Sequence, residues 1–181
     1  MKDYQNSQPE RPAHLRLKTG LRFGIVTSML SSLIGIALYS MGLMDFSGSG
    51  GGWTSLLLFG LGIYLASEHF KKFTNGFMRQ SDVVVISLWI GFFSGIISVI
   101  VMLIQLKLDP SIMEKMYALM EMQFEKQGLE GEQYDKAMEL ATMFMSPGFL
   151  SLMGFISSLF IALIEGFILS FVLRKEQDPF A

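Results

Sequence analysis

The apolar stretch GFLSLMGFISSLFIALIEGFILSFVL, residues 148–173, contains a single ionisable side chain, Glu165. A helix of about 20 apolar residues is long enough to cross the hydrocarbon core of a bilayer. Three comparable apolar segments precede this one, at residues 21–44, 53–70 and 83–106. The sequence therefore predicts an all-α, polytopic membrane protein in which four transmembrane helices form one membrane domain over residues 21–173.

The composition of the chain favours a membrane protein and excludes several kinds of site. Hydrophobic residues make up 51% of the chain and charged residues 17%, whereas about 25% of the residues of soluble domains are charged. There is no cysteine, which excludes disulfides, iron–sulfur ligation and thiol nucleophiles. The sequence also lacks a phosphate-binding loop, a nucleophile triad and a histidine-rich metal motif. We therefore expect a protein without enzymatic activity, cofactor, bound metal or nucleic-acid partner.

The first apolar segment has some features of a cleaved signal peptide, because basic residues precede it and small residues follow it. Signal peptides, however, have an apolar region of at most about 15 residues. The segment at 21–44 is longer than this and has no small-x-small cleavage site before Asp45. We expect it to remain in the protein as a membrane anchor.

The distribution of basic residues predicts the orientation of the four helices. Ten of the 14 lysine and arginine residues lie before or at the very start of the first span, between the second and third spans, or after the fourth. The other four are in the long loop between the third and fourth spans: Lys107, Lys115, Lys126 and Lys136. Short segments rich in lysine and arginine stay in the cytoplasm. Both terminal tails, residues 1–20 and 174–181, are therefore predicted to be cytoplasmic, and the long loop external.

The long loop has the pattern of two amphipathic helices. Asp109 and Pro110 are suited to begin a helix. Apolar residues then recur at helical spacing in two groups, first Met113, Met116, Tyr117, Met120 and Phe124, then Tyr134, Ala137, Met138, Ala141 and Phe144. Gly128 and Gly131 separate the groups. This pattern predicts an external amphipathic helical hairpin at residues 109–145, lying on the membrane surface.

The methionines of this loop have two possible roles. Seven are present: Met113, Met116, Met120, Met122, Met138, Met143 and Met145. Their thioethers are soft ligands that suit Cu(I). Methionine is also a pliable hydrophobe that suits an amphipathic surface, and the loop contains no cysteine or histidine. We favour the second role and predict no metal site.

Three stretches of the chain resemble a known bacterial membrane family, domain of unknown function 4199 (DUF4199). They are the basic loop KKFTNGFMRQSD at 71–82, the helix LWIGFFSGIISVIVMLI at 88–104 and the segment LDPSIMEKM at 108–116, followed by a final membrane helix. The resemblance extends over about residues 15–175. It implies a four-helix integral membrane protein of the bacterial cytoplasmic (inner) membrane, and it carries no activity or functional residue to this chain.

Small residues predict which helix faces pack together, because close backbone approach drives helix association in lipid. In the fourth span, a small residue occurs at every fourth position: Gly154, Ser158, Ala162, Gly166 and Ser170. The first span has a similar set, Gly24, Ser28 and Ser32, and the third has Ser87, Gly91 and Gly95. These three helices are predicted to pack closely.

Glu165 is predicted to lie deep in the membrane and to face the bundle. It precedes Arg174 by nine residues, roughly 13 Å along a helix. Ser31 follows Arg22 by the same number of residues, so Ser31 and Ser32 are the predicted hydrogen-bond partners of the carboxyl group. Burial favours the neutral form of a carboxyl group, which makes a protonated packing residue the simplest interpretation. A titrating relay and a contact with another membrane protein are the alternatives.

These features predict an integral membrane protein of unknown biochemical activity, and more specifically a structural or regulatory component of a bacterial membrane assembly. Its expected partners are the lipid bilayer and another membrane protein or a second copy of the chain. The alternative is a small transporter or a proton- or ion-conducting protein that uses Glu165.

Overall fold

A computed structural model describes residues 13–42 and 51–175 of the chain. Over these ranges the protein is all-α, as predicted, and has six helices. They are α1 (Ala13–Ser40), α2 (Gly51–Lys71), α3 (Gln80–Leu108), α4 (Ser111–Lys126), α5 (Glu132–Phe144) and α6 (Pro147–Leu173). Most of the two predicted cytoplasmic tails, at 1–12 and 176–181, lies outside the described residues.

Three of the helices, α1, α3 and α6, are long and apolar enough to cross a membrane. The start of α1 differs from the prediction, because the helix begins at Ala13 and already includes the basic residues Arg16 and Lys18. Lysine and arginine side chains are good helix formers, so the basic segment continues the apolar helix. The second predicted span corresponds to α2, which is 21 residues long. The mean hydropathy of α2 is lowered by polar residues near its end, such as Glu68 and His69.

The two helices between α3 and α6 have local start and stop signals in the sequence. Gly128 and Gly131, which separate α4 from α5, both have positive φ, at 71° and 59°. Glycine adopts this conformation without steric cost. At the start of α6, the Ser146 side chain accepts a hydrogen bond from the Phe149 backbone N–H at 3.3 Å, and Pro147 occupies the first turn.

The bundle is organised around α3, which lies between α1 and α6. The fourth long helix, α2, contacts α1, α3 and α6. Buried apolar side chains of α2, α3, the intervening loop and α6 form the core: Ile63, Ala66, Phe70, Met78, Val83, Ile86, Ile90 and Leu173. This core lies at the end of the bundle where α2 and α6 terminate and α3 begins.

The contact between α1 and α3 is made by small residues. A Cβ atom built on Gly24 would lie 3.1 Å from the carbonyl oxygen of Ile90, so the two backbones approach closely. The Ser94 hydroxyl donates a hydrogen bond to the Gly24 carbonyl at 3.0 Å. The Ser28 hydroxyl donates to the Ser94 carbonyl at 3.3 Å. Hydroxyl groups thus bond across the interface where the absence of larger side chains allows it.

The contact between α3 and α6 is built in the same way. A Cβ atom on Gly91 would lie 2.5 Å from the Cβ atom of Ala162. The Ser158 hydroxyl donates to the Gly91 carbonyl at 3.0 Å. Further along, Gly166 of α6 faces the Ser87 side chain of α3. Both faces of α3 are therefore held by close backbone contacts.

Candidate functional site

The intramembrane carboxyl group of Glu165 faces α2. A Cβ atom built on Gly60 would lie 3.5 Å from Oε2 of Glu165, an ordinary van der Waals distance, so the carboxyl group lies directly beside the α2 backbone. Oε2 is buried and has no hydrogen-bond partner among the described residues. A buried polar atom without a partner is unfavourable, and it is less unfavourable when the carboxyl group is neutral.

The predicted hydrogen bond from Glu165 to Ser31 or Ser32 is not made. Along the described chain, α1 has no backbone contact with α6, because α3 lies between them. The Ser31 hydroxyl is buried and has no hydrogen-bond partner among the described residues, whereas Ser32 lines a cavity. Equal distance from the ends of two helices places residues at the same depth in a membrane. It does not determine which helices are neighbours.

The small residues of α6 are divided between two faces. Ser158, Ala162 and Gly166 lie against α3. Gly154 is exposed, and no atom of the described chain lies within 4 Å of its Cβ position. The predicted packing contact of Gly154 is therefore absent from the bundle. In an α-helix, each four-residue step turns the side-chain direction by about 40° beyond a full turn, so one end of the series leaves the interface.

A second feature of the membrane region is a cavity of about 430 Å³ between α1 and α3, which a few polar side chains line. Ser32, Gly35 and Tyr39 line it from α1, and Ser98 and Gln105 line it from α3. The remaining lining residues are apolar: Ile36, Val101, Met102 and Leu106, with Ile112 and Met116 of α4 and Leu150 of α6 at the end where α1 and α3 finish. A mostly apolar cavity with a few polar groups has the character of a small-molecule site.

A lysine contacts Tyr39, one of the residues that line this cavity. Lys115 of α4 donates a hydrogen bond from Nζ to the Tyr39 hydroxyl at 3.1 Å. Its Nζ also lies 5.7 Å from the centre of the Tyr39 ring, within the range of a cation–π contact. The hydrogen bond to Tyr39 raises the pKa of Lys115, so its ammonium group is charged at neutral pH.

The sequence prediction missed a buried ion pair at the opposite end of the bundle. Nη2 of Arg16 lies 3.0 Å from Oδ1 of Asp82, whose side chain is 0% exposed, against 24% for Arg16. The other oxygen of Asp82 accepts a hydrogen bond from the Arg79 backbone N–H at 3.0 Å, which caps α3. The sequence feature that could have drawn attention to this site is Asp82, an acidic residue in the first turn of an apolar helix. In the sequence, Arg16 is one of the basic residues that predict orientation, and that pattern does not indicate an ion pair.

The methionines of the loop occupy different surroundings in the structure. Met116 lines the cavity, Met145 is buried, and Met122 and Met143 are exposed. Four of the seven are thus divided among three environments. This distribution is typical of methionines that fill gaps and cover apolar surface.

One comparison with known proteins gave a match, and it covers nearly the whole chain. The sequence model of a family described as protein of unknown function, DUF4199, matches residues 15–175. The chain belongs to the DUF4199 family. Neither the comparison with curated proteins nor that with solved structures returned a match.

The two limits of the DUF4199 match lie beside contacts at the same end of the bundle. The match begins one residue before Arg16, which pairs with Asp82. It ends at Lys175, which exchanges two backbone hydrogen bonds of 2.9 Å with Met78. Both ends of the family region are therefore tied to the segment that leads into α3. The family description assigns no activity to any of these residues.

Proposed function

We propose that this DUF4199 protein is a non-enzymatic structural or regulatory component of a bacterial membrane assembly. The observation that carries the proposal is the pair of hydroxyl-to-carbonyl bonds, Ser94 to Gly24 and Ser158 to Gly91, made at close backbone contacts on both sides of α3. Helices joined in this way form a rigid unit, whereas alternating access in transporters requires helices or repeats to move against one another. A rigid, closely packed bundle suits a protein that keeps one conformation within a complex of membrane proteins.

The proposal includes α2 as a fourth membrane span. The Arg16–Asp82 pair places the start of α1 beside the start of α3, and the Ser28–Ser94 hydrogen bond joins the helices further along both, so they run in the same direction. The chain must then return across the same thickness between Ser40 and Gln80. With 21 residues, α2 is about 31 Å long, which matches the hydrocarbon core of about 30 Å.

The surface of α2 also supports a membrane-spanning position. Ile63, Ala66 and Phe70 are buried in the bundle, whereas Leu57 and Leu61 are exposed apolar residues. An apolar outer face on a helix packed among three apolar helices is suited to contact with lipid.

The orientation and the position of α4 and α5 are part of the same proposal. The ten basic residues outside the long loop favour cytoplasmic termini, in the inner membrane of a bacterium. The external hairpin of α4 and α5 is supported by the edge-to-face contact of Phe124 and Tyr134, with ring centres 6.3 Å apart. Leu140 and Phe144 are exposed on α5, so they provide an apolar surface for the membrane interface.

The competing function is a proton- or ion-conducting protein that uses Glu165. Its specific support is the buried, unpartnered Oε2 atom, because intramembrane carboxyl groups are common in proton pathways. A pathway, however, needs several groups that exchange protons. The α2 residues within one turn of Gly60, which faces the carboxyl group, include no aspartate, glutamate, lysine, arginine or histidine.

Two measurements on the full chain test the proposal. We expect native membranes solubilised in mild detergent to give a stoichiometric complex larger than the chain, and Glu165→Gln to leave that complex unchanged. We also expect proteoliposomes of the pure protein to show no pH-driven proton flux above protein-free vesicles. A single-chain species would contradict the assembly role, and a flux that Glu165→Gln abolishes would establish the conducting alternative.

A further inference from the structure

The cavity between α1 and α3 begins where the close contact between these helices ends. As far as Ser28, α1 is joined to α3 by the hydrogen bond to the Ser94 carbonyl. One turn further on, Ser32 faces the cavity. No atom lies within 4 Å of the Cβ position of Gly35, so nothing in the described chain fills the space beside it. On this side α1 continues with the small residues Ser32 and Gly35, yet a gap lies between it and α3 instead of a contact.

The dimensions and lining of the gap suit an acyl chain. From Ser32 to Tyr39 the cavity follows α1 for roughly 10 Å along the helix axis. Its walls along α3 are formed by apolar residues such as Val101 and Met102. The polar groups of Tyr39 and Gln105 are concentrated toward the end of the two helices. Deeper in the cavity the polar lining residues are Ser32 and Ser98, so the larger polar groups lie at the end of a span, as the headgroup of a membrane lipid does.

The positive charge of Lys115, which contacts Tyr39 at the polar end, indicates that a lipid bound here has an anionic headgroup. An ammonium group has three donors, and Tyr39 accepts one from Lys115 among the described residues. Asp109 also interacts electrostatically with Lys115, but its Oδ1 atom already accepts hydrogen bonds from the Ser111 hydroxyl at 2.6 Å and the Ser111 backbone N–H at 3.1 Å. Lys115 therefore has donors available for an anionic group at the membrane surface.

We propose that the cavity binds one acyl chain of an anionic membrane phospholipid, with the chain beside Gly35 and the headgroup next to Lys115. The occupant is inferred from the apolar cavity between two membrane helices, its polar end, and the lysine that contacts Tyr39. This proposal is independent of the assembly role, since a bound lipid is compatible with either function considered for Glu165.

The test uses native mass spectrometry of the full chain in detergent, with phosphatidylglycerol or phosphatidylcholine of the same acyl chains added. We expect one phosphatidylglycerol to be retained, about fivefold more tightly than phosphatidylcholine, because one interfacial lysine contributes about that factor to anionic-lipid binding. Lys115→Gln is expected to remove the preference. The matched control is Lys136→Gln, which removes an equally external lysine from α5, where it pairs with Glu132, and should keep the preference.

A second pair of variants tests the cavity itself. Gly35→Leu places a side chain in the gap and is expected to abolish retention of the lipid, whereas Gly35→Ala makes the same kind of backbone change but leaves most of the space open and should retain it. Equal retention of phosphatidylglycerol by the Leu and Ala variants would overturn the proposal, as would equal affinity of the unaltered chain for the two lipids. If the gap is instead filled by a second copy, Gly35→Leu will convert a dimer to a monomer in the same spectra without an effect of lipid, which also overturns it.

Discussion

At the scale of single residues, two buried polar groups of the bundle differ in how they are satisfied. One carboxyl oxygen of Asp82 lies in an ion pair with Arg16, and the other accepts a hydrogen bond from the Arg79 backbone N–H just before α3. Glu165 has Oε2 enclosed against Gly60 without a hydrogen bond in the described chain. A buried charged pair is costly to break, whereas an unsatisfied polar group can be replaced at little cost. The two residues should therefore respond differently to substitution.

For Glu165, we expect Glu165→Gln to leave the free energy of unfolding unchanged and Glu165→Leu to raise it by about 0.5–1 kcal/mol, because an apolar side chain of similar size removes an unsatisfied buried atom. Unfolding in mixed detergent micelles at neutral pH measures both. Ile164→Leu, on the exposed side of the same turn, is the control. A loss of about 1 kcal/mol in Glu165→Leu would instead show that the carboxyl group has a partner.

For the ion pair, we expect Asp82→Asn to lower the free energy of unfolding by about 2 kcal/mol, less than the ~3–5 kcal/mol for a fully buried pair because Arg16 is partly exposed. The matched control is Glu132→Gln, which breaks a pair whose side chains are 82% and 71% exposed. Its expected effect is within about 0.5 kcal/mol. Equal effects of the two substitutions would mean that the buried pair has no special contribution.

At the scale of helices, the contacts of α3 depend on positions where no Cβ atom fits. Gly166 lies against the Ser87 side chain, so an added methyl group would overlap it. Gly154 is on the same helix but has open space around it. The two glycines differ in tertiary contact and share the same helical conformation, so they separate packing from helix propensity.

We expect Gly166→Ala to destabilise the bundle by about 1–3 kcal/mol through overpacking, and Gly154→Ala to stabilise it by up to about 1 kcal/mol through helix propensity. Both are measured by the same unfolding experiment. If Gly154→Ala proves as destabilising as Gly166→Ala, Gly154 must contact something beyond the described chain, and a change in oligomeric state would identify a second copy.

At the scale of the whole molecule, the parallel arrangement of α1 and α3 determines the path of the chain. Arg16 and Asp82 place the starts of both helices at one end of the bundle. The Met78–Lys175 hydrogen bonds place the end of α6 at that same end. Helix α4 begins at the other end, where Lys115 bonds to Tyr39. The chain therefore needs one return passage between α1 and α3, and α2 is the helix available for it.

The expected topology is that reporters fused after Leu129 are external, whereas reporters fused after Asn75 or at the C-terminus are cytoplasmic. A reporter after Ser49, which is outside the described residues, should also be external if α2 crosses the membrane. The physical basis is the ten-to-four distribution of lysine and arginine. Signals from Ser49 and Asn75 on the same side would exclude α2 as a span, and a cytoplasmic signal at Leu129 would reverse the orientation.

The sequence by itself determined the class of the protein, because hydrophobic length and local signals act within one segment. Apolar runs predicted the long helices, and Gly128 and Gly131 predicted the break between α4 and α5. The motifs at 71–82, 88–104 and 108–116 were sufficient to suggest the DUF4199 family, which the match over residues 15–175 confirms.

Only the tertiary structure decided which helix each residue meets. Periodicity describes one face of a helix, and distance from a basic residue describes depth, but neither specifies the neighbouring helix. Glu165 consequently faces Gly60 of α2 instead of Ser31 or Ser32. The Arg16–Asp82 pair joins residues far apart in the chain, and the cavity exists because α1 and α3 separate beyond Ser28. Such features depend on how helices are placed around one another, which no single segment encodes.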